Sequence, residues 1–282
     1  MDRETALFLN RVTCDFYRDN AASFSATRQA PWDGWRTLAE LLHEAWDIEK
    51  DKARTMADVA CGNLRFERFL ADEFPGTPFT FRTWDNCGPL VHDGSDLSET
   101  NVSVTHHRLD IVDALLAGGS IATGFELSTA ECDLAVCFGF FHHIPTPQAR
   151  EHALAWLLGN VRPGGIVALS LWRFTDDDRA RAKAGRVTER ALASLSSVNP
   201  GLDNQLAQGD YLLGWKDTRS SFRYCHSFED KEVNRLIELA TIPVGNGNKA
   251  GGATRLLARY RADGKNGRSN EYLVFRKEST HE

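Results

Sequence analysis

The chain has no run of about 18 apolar residues, so nothing in it reads as a membrane-spanning helix. Its first residues, MDRETALFLNRV, are charged and amphipathic rather than signal-peptide-like, and the expected location is cytoplasmic. No CxxC pair occurs: Cys14, Cys61, Cys87, Cys132, Cys137 and Cys225 are scattered, which argues against a zinc framework and for separate, reduced thiols. No metal is expected. GxGxxG is also missing, which excludes the dinucleotide cradle that rests a pyrophosphate on a helix N-terminus. An excess of positive charge is absent too, the formal net charge being -6, although a basic face can coexist with an acidic total. Two Lys- and Arg-rich runs, RFTDDDRARAKAGRVTER (173–190) and KAGGATRLLARYRADGKNGRSNEYLVFRK (249–277), keep nucleic acid open. The plain alternative for each is solvated surface.

What is present is an ordinary globular composition, 42% apolar and 26% charged over 282 residues, fitting one principal domain with elaborations. Phe8, Val12 and Phe16, then Trp35, Leu38, Leu42 and Trp46, recur at helical spacing, with the loop SFSATRQAPW between them. From residue 55 short apolar runs alternate with helical stripes. Strands are expected at 55–60, 79–84, 104–111, 133–138 and 166–172. Phe66, Phe69 and Leu70 form one helical face, and Leu154, Leu157, Leu158 and Val161 another, the latter stopped by RPGG (162–165). Such alternation predicts an α/β fold with a doubly wound, Rossmann-like, mostly parallel sheet. A polar stretch, a helix with Val233, Leu236, Ile237 and Ala240 on one face, and two strands around a polar turn complete it as an antiparallel pair. The expected divisions are 1–48 (helices and lid), 49–173 (core), 174–230 (substrate-side insertion) and 231–282 (C-terminal helix and strand pair).

Ligands of a doubly wound sheet bind beyond the carboxyl ends of its strands. Ala60, Cys61, Gly62, Asn63 and Leu64 form the first such turn, with Gly62 allowing close approach of backbone to ligand. Asp58 lies in the first strand, and Asp85, followed by Asn86, ends the second, where a carboxylate can accept both hydroxyls of a ribose. Asp110, flanked by Leu109 and Ile111, is placed to accept from an adenine amino group. An adenosine site without phosphate recognition suggests S-adenosylmethionine. The fourth strand leads through Cys137 and Phe138 into His142 and His143, which can point one toward the cofactor and one toward a substrate, or pack in the core. In FRYCHSF, Arg223 offers a planar fork to a carboxylate or phosphate. Strand alternation puts Tyr224 and His226 on one face and Arg223 and Cys225 on the other.

DVACGN, Asp85, RLDI and RPGGIVALSLW together resemble the class I S-adenosylmethionine-dependent methyltransferases over residues 45–282. FYRDNAASFSATRQAPW, CGNLRF, WDNCGPLV, FFHHIPTPQAR and FRYCHSF look like the corresponding segments of the tRNA wobble-uridine methyltransferases, which esterify a carboxymethyl group and include a domain fused to an AlkB-type oxygenase. The resemblance implies seven strands with an antiparallel last strand, S-adenosylmethionine as cofactor and S-adenosylhomocysteine as product. Tyr17, Arg28 and Trp32 would then belong to the cofactor site and lid, with Asn86, Cys137, Phe138 and His143 beside them. His142, Arg223, Tyr224 and His226 would face the substrate. The implied partners are tRNA and a small activator subunit. The family's loop reads GCGNGRY, and here Ala60 and Leu64 replace two glycines, with Leu64 adding bulk near the cofactor. A carboxylate acceptor is already a nucleophile, so methyl transfer to it needs orientation rather than a general base. The competing readings are a methyltransferase for a small acid or hydroxyl, and a methyltransferase-like binding module without turnover.

Overall fold

A computed structural model describes residues 1–46, 52–92, 97, 101–117, 132–216, 220–242 and 253–278. Helix α1 (Arg3–Ser25) starts where the Asp2 carboxylate accepts the Thr5 N–H at 2.8 Å, and it buries Leu9 and Phe16. Helix α2 (Asp33–Trp46) buries its Trp35, Leu38, Leu42 and Trp46 stripe. The alternation then follows: β1 (Arg54–Val59), α3 (Arg65–Glu73), β2 (Phe79–Asp85), α4 (Gly88–His92), β3 (Val102–Arg108), α5 (Ile111–Leu116), β4 (Cys132–Cys137), α6 (Pro147–Gly159) and β5 (Val161–Trp172). Helix α7 (Asp178–Leu195), a hairpin of β6 (Asp210–Gly214) and β7 (Phe222–His226), α8 (Asp230–Thr241), β8 (Thr254–Ala262) and β9 (Asn270–Lys277) complete it.

The main sheet has seven strands in the order β3-β2-β1-β4-β5-β9-β8. The first five pair in parallel, and β9 runs antiparallel to both β5 and β8. This is the expected Rossmann-like sheet with an antiparallel last strand. One face packs Ile111, Leu154, Leu157 and Leu236 of α5, α6 and α8; the other packs Leu38, Phe66 and Phe69 of α2 and α3. Strands β6 and β7 form their own two-stranded sheet, held against α1 and α7 by Leu9, Ala191, Leu212 and Phe222. Among the described residues no helix is long and apolar enough to cross a membrane.

Three local expectations change. RPGG does not separate a helix from a strand: α6 ends at Gly159, and Arg162–Gly165 lie inside β5, so Val161 belongs to the strand. The register jumps from Cys132↔Val161 to Leu134↔Ile166, which makes the segment a bulge. Gly164 sits there at φ 80°, and a Cβ on Gly165 would lie 2.8 Å from the Arg162 carbonyl oxygen. The third strand stops at Arg108 rather than 111, because Asp110 caps α5. The polar stretch after β5 contains α7, which buries only Ala184 and Ala191 and so shows little apolar stripe. The division expected at 48/49, and residues 249–252 of the second basic run, lie outside the described residues.

Candidate functional site

The turn from β1 into α3 winds through three left-handed residues, Ala60 (φ 66°), Gly62 (φ 57°) and Leu64 (φ 53°). The Ala60 and Cys61 N–H groups donate to the Trp84 carbonyl, and the Gly62 N–H donates to Asp85 Oδ2 at 3.0 Å. These bonds hold a glycine-like path at two non-glycine positions, each at a cost of about 1–2 kcal/mol. The space where a Gly62 Cβ would stand is clear to 4 Å. Leu64 is buried and does not line the cavity, so its bulk turns inward instead of toward a ligand.

Above this turn, at the carboxyl ends of the parallel strands, is a cavity of about 680 Å³. One end is acidic. Asp85 accepts from the Gly62 and Cys87 N–H groups (3.0 and 2.8 Å), which leaves about two of a carboxylate's four acceptor positions. Burial raises its pKa while those N–H groups oppose the rise. Asp110 is less available than its position in the sequence suggests: Asn10 Nδ2 donates to both its oxygens at 2.9 and 3.0 Å, and the Asp113 N–H donates at 3.0 Å. Cys14 Sγ stands 3.5 Å from Asp110 and accepts from Asn86 Nδ2 at 3.1 Å, so α1 roofs this end. Asp58 is buried beside Glu67 of α3, whose two carboxyl oxygens are buried without a hydrogen-bond partner. Burial, reinforced by Glu67, raises the Asp58 pKa well above its ordinary value, and burial moves Glu67 up to about 7. Two ionised carboxylates offer no donor to each other, so a proton held by the pair is what satisfies the orphaned oxygens.

The other end is basic and aromatic. Arg223 of β7 is buried over the Phe16 ring at 4.6 Å; its Nη1 donates to the Gly214 carbonyl at 3.3 Å, and its Nε has no partner. Arg28 lies 3.5 Å over the Phe24 ring and 5.3 Å from Trp215. Neither makes an ion pair among the described residues. Arg65, at the start of α3, stacks on Trp35 and Trp32 at 4.9 and 5.2 Å, and its Nε is also buried without a partner. Burial, then the nearby Arg28, lowers its pKa to about 10. Trp32 lies against Gly139, where a Cβ would stand 2.9 Å from the indole. The Asn63 side chain ties this loop to the glycine turn by donating to Ser25 Oγ and the Arg28 carbonyl at 3.1 and 3.2 Å.

Between the two ends stand the histidines. His143 Nδ1 is 2.7 Å from the Tyr224 carbonyl, which only accepts, so Nδ1 carries the proton and Nε2 accepts from the Tyr17 hydroxyl at 2.8 Å. Burial, then Arg223, pushes the His143 pKa down to about 3; burial, then His143 and Arg223, pushes His142 well below its ordinary value. His142 Nδ1 is buried without a partner. Cys225 Sγ completes a cluster with both rings, all within 4.8 Å. Burial raises that thiol to about 11, and the Arg223 guanidinium beside it makes the cluster a poor cation site.

The structure therefore brings Tyr17, Arg28, Trp32, Asp58, Ala60, Cys61, Gly62, Asn63, Asp85, Asn86, Leu109, Asp110, Ile111, Phe138, His142, His143 and Arg223 to one cavity. It does not bring Cys137, Tyr224 or His226 there. Cys137 is fully enclosed in the core under the sheet's carboxyl edge. Tyr224 and His226 share the β7 face turned away from Arg223. The Tyr224 hydroxyl donates to Asp210 at 2.5 Å and accepts from Arg150 at 3.0 Å. His226 bridges Asp210 (2.7 Å) and Glu232 (2.8 Å). Their side chains fasten the hairpin to α6 and α8, and Tyr224 reaches the cavity only through the carbonyl that orients His143. Asn10, Cys14, Arg65 and Glu67 are functional candidates that sequence reasoning missed. Asn10, Cys14 and Tyr17 do recur at helical spacing on α1, and Glu67 is an acid inside the Phe66–Leu70 stripe; both were available signals.

No protein-family model matches the chain. Among solved structures, a methyltransferase from Methanosarcina mazei superposes with a TM-score of 0.53 at 14% identity, covering 84% of this chain and 97% of that one. One from Clostridium acetobutylicum gives 0.52 at 9% identity, with 93% and 99% covered. Magnesium protoporphyrin IX methyltransferase from Synechocystis gives 0.51 at 10%, with 93% and 97% covered. The fold is that of the S-adenosylmethionine-dependent methyltransferases. In sequence, a protein of Encephalitozoon cuniculi to which methyltransferase activity is assigned by name is 26% identical over 83% of this chain and 87% of its own length. The mouse tRNA (carboxymethyluridine(34)-5-O)-methyltransferase ALKBH8 is 24% identical over 68% of this chain. That match spans 26% of the mouse protein.

Proposed function

We propose that the chain is an S-adenosylmethionine-dependent methyltransferase, that its acceptor atom is a carboxylate oxygen, and that the carboxylate is a carboxymethyl group on the wobble uridine of tRNA. The observation that carries the acceptor class is the basic end of the cavity: Arg223 and Arg28 face it without a carboxylate partner, and the two histidines between the ends are held neutral. A hydroxyl acceptor would call for a general base titrating near the working pH, and a histidine whose pKa is near 3 is a poor one. A carboxylate needs only a fixed position, which a guanidinium fork supplies without taking a proton.

The cavity fits the cofactor. Its volume lies within the range of small-molecule sites. Asp85 keeps acceptor positions for two ribose hydroxyls, the clear space at Gly62 admits a ligand against the backbone, and the unpartnered Arg65 Nε suits the carboxylate of an amino acid. The amino acid's ammonium, bound beside Asp58, would oppose the rise in that residue's pKa and favour its ionised form. When bound, S-adenosylmethionine supplies an electrophilic methyl group on a sulfonium. The protein's part is to hold: Arg223 and Arg28 orient the acceptor, the Tyr17–His143–Tyr224 carbonyl chain fixes the wall between the ends, and Trp32, Phe24 and Trp172 exclude water.

The tRNA part draws support from the ALKBH8 relatives and from the basic run of residues 173–190. A small-molecule acid is the second reading, favoured by the net charge of -6. The test is transfer of labelled methyl groups into bulk tRNA at rising salt. Incorporation should fall steeply with ionic strength, because binding through several phosphates releases counterions. Incorporation into small carboxylic acids but not tRNA would replace the first reading by the second.

A further inference from the structure

The run of residues 173–190 folds mostly as α7. On it Arg179, Lys183, Arg186 and Arg190 recur at helical spacing, so they form one row. All four are exposed, about a quarter to a third of a turn round the helix from the buried Ala184 and Ala191 that face the β6–β7 hairpin. The row extends about 16 Å along the helix axis. None of the four makes an ion pair among the described residues, although Arg173 just before the helix pairs with Asp230 and Arg181 within it pairs with Asp178. Glu189 at the row's edge forms no pair with it either. Like charges three or four residues apart on a helix destabilise it by a few tenths of a kcal/mol per pair. The row is a local concentration of positive charge without ion pairs, on a chain whose formal net charge is -6. It is also joined to the cavity: α7 follows Trp172, which lines it, and Arg190 lies 5.9 Å over the ring of Phe222, the residue before Arg223.

We propose that this face of α7 docks the phosphodiester backbone of an RNA acceptor, outside the cavity that holds the reacting group. The proposal rests on the reading that the acceptor is carried by RNA. The experiment is binding of bulk tRNA by the full chain and by the variant R179A/K183A/R186A/R190A, across 50–200 mM salt. The wild type should bind with steep salt dependence. The variant should bind at least about 100-fold more weakly at the lowest salt, with a log–log salt slope shallower by about 3. Unchanged thermal stabilisation by S-adenosylhomocysteine reports that its fold is intact; if that control fails, the pairs R179E/K183E and R186E/R190E are used, each expected to lose about half the slope. A folded variant that binds tRNA as tightly as the wild type overturns the docking face. So does a wild type that binds phosphatidylserine vesicles but not tRNA. Label transfer to tRNA separates the two ideas: if it persists in a variant with unaltered tRNA binding, the RNA reading stands and only the docking face falls. If the wild type transfers no label to tRNA, the RNA reading itself fails.

Discussion

The two ends of the cavity are assembled in different ways. The acidic end takes Asp58, Gly62, Asp85 and Asp110 from the ends of consecutive strands, in chain order, and fastens Asp85 and Asp110 with backbone N–H groups. The basic end takes Arg28 from the loop after α1 and Arg223 from a hairpin almost two hundred residues later, and seats both guanidiniums on aromatic rings rather than on carboxylates. The first arrangement is a property of the fold, since any doubly wound sheet opens its switch point there. The second is a property of this chain's additions to the fold. Under the proposed function, cofactor binding (Arg65 apart) and acceptor choice fall to different parts of the molecule, and they should be separable by mutation.

The largest expected effect is at the basic end. Arg223→Ala should lower kcat/KM for methyl transfer about 100-fold or more, ~2.7 kcal/mol, while leaving the affinity for S-adenosylhomocysteine unchanged. Loss of both would merge the two ends into one site. The mirror experiment is Asp85→Ala, which removes the acceptor for two backbone N–H groups and for a ribose. Calorimetric titration should show product affinity reduced about 30-fold, ~2 kcal/mol, since hydrogen bonds to a charged group contribute about 1.5–3 kcal/mol. A third test concerns Glu67, whose folded pKa is raised from 4.5 to about 7. The folded protein then keeps a proton that the unfolded chain releases, so its contribution to stability is present below pH 4.5 and is lost as pH rises to about 7. Denaturant unfolding of the ligand-free protein should lose up to about 1.4 kcal/mol per pH unit across that window, and Glu67→Gln should flatten the slope. Smallest is Ala60→Gly, which relieves a left-handed alanine but adds freedom to the unfolded chain; a net gain of about 0.5 kcal/mol is expected in thermal unfolding. The same change at Leu64 should instead destabilise, because it also empties a buried side-chain position.

Legibility followed the same division. The alternating strands and helices, the glycine turn and Asp85 could be read directly, because each depends on local periodicity or on a residue adjacent to its strand. Arg223 and the histidines could be singled out by residue type, but their placement depends on β6–β7 packing against α1, which no local pattern encodes. Tyr224 and His226 show the consequence: alternation correctly put them on one face, yet that face turns toward Arg150 and Glu232. Asn10 and Cys14 escaped notice because their partner Asp110 lies about one hundred residues away. Helix α7 escaped because a helix with two buried alanines carries almost no apolar stripe.

The claim that the basic end orients a carboxylate is tested most directly by the chemical bond that holds the transferred methyl group. After reaction with labelled S-adenosylmethionine and the accepting RNA, the product is treated with mild alkali and volatile methanol is collected. A methyl ester releases its label quantitatively under these conditions, and that is the result predicted by a guanidinium-held acceptor with no base beside it. Label that stays on the nucleoside through alkali, as an ether or an N-methyl group would, contradicts it.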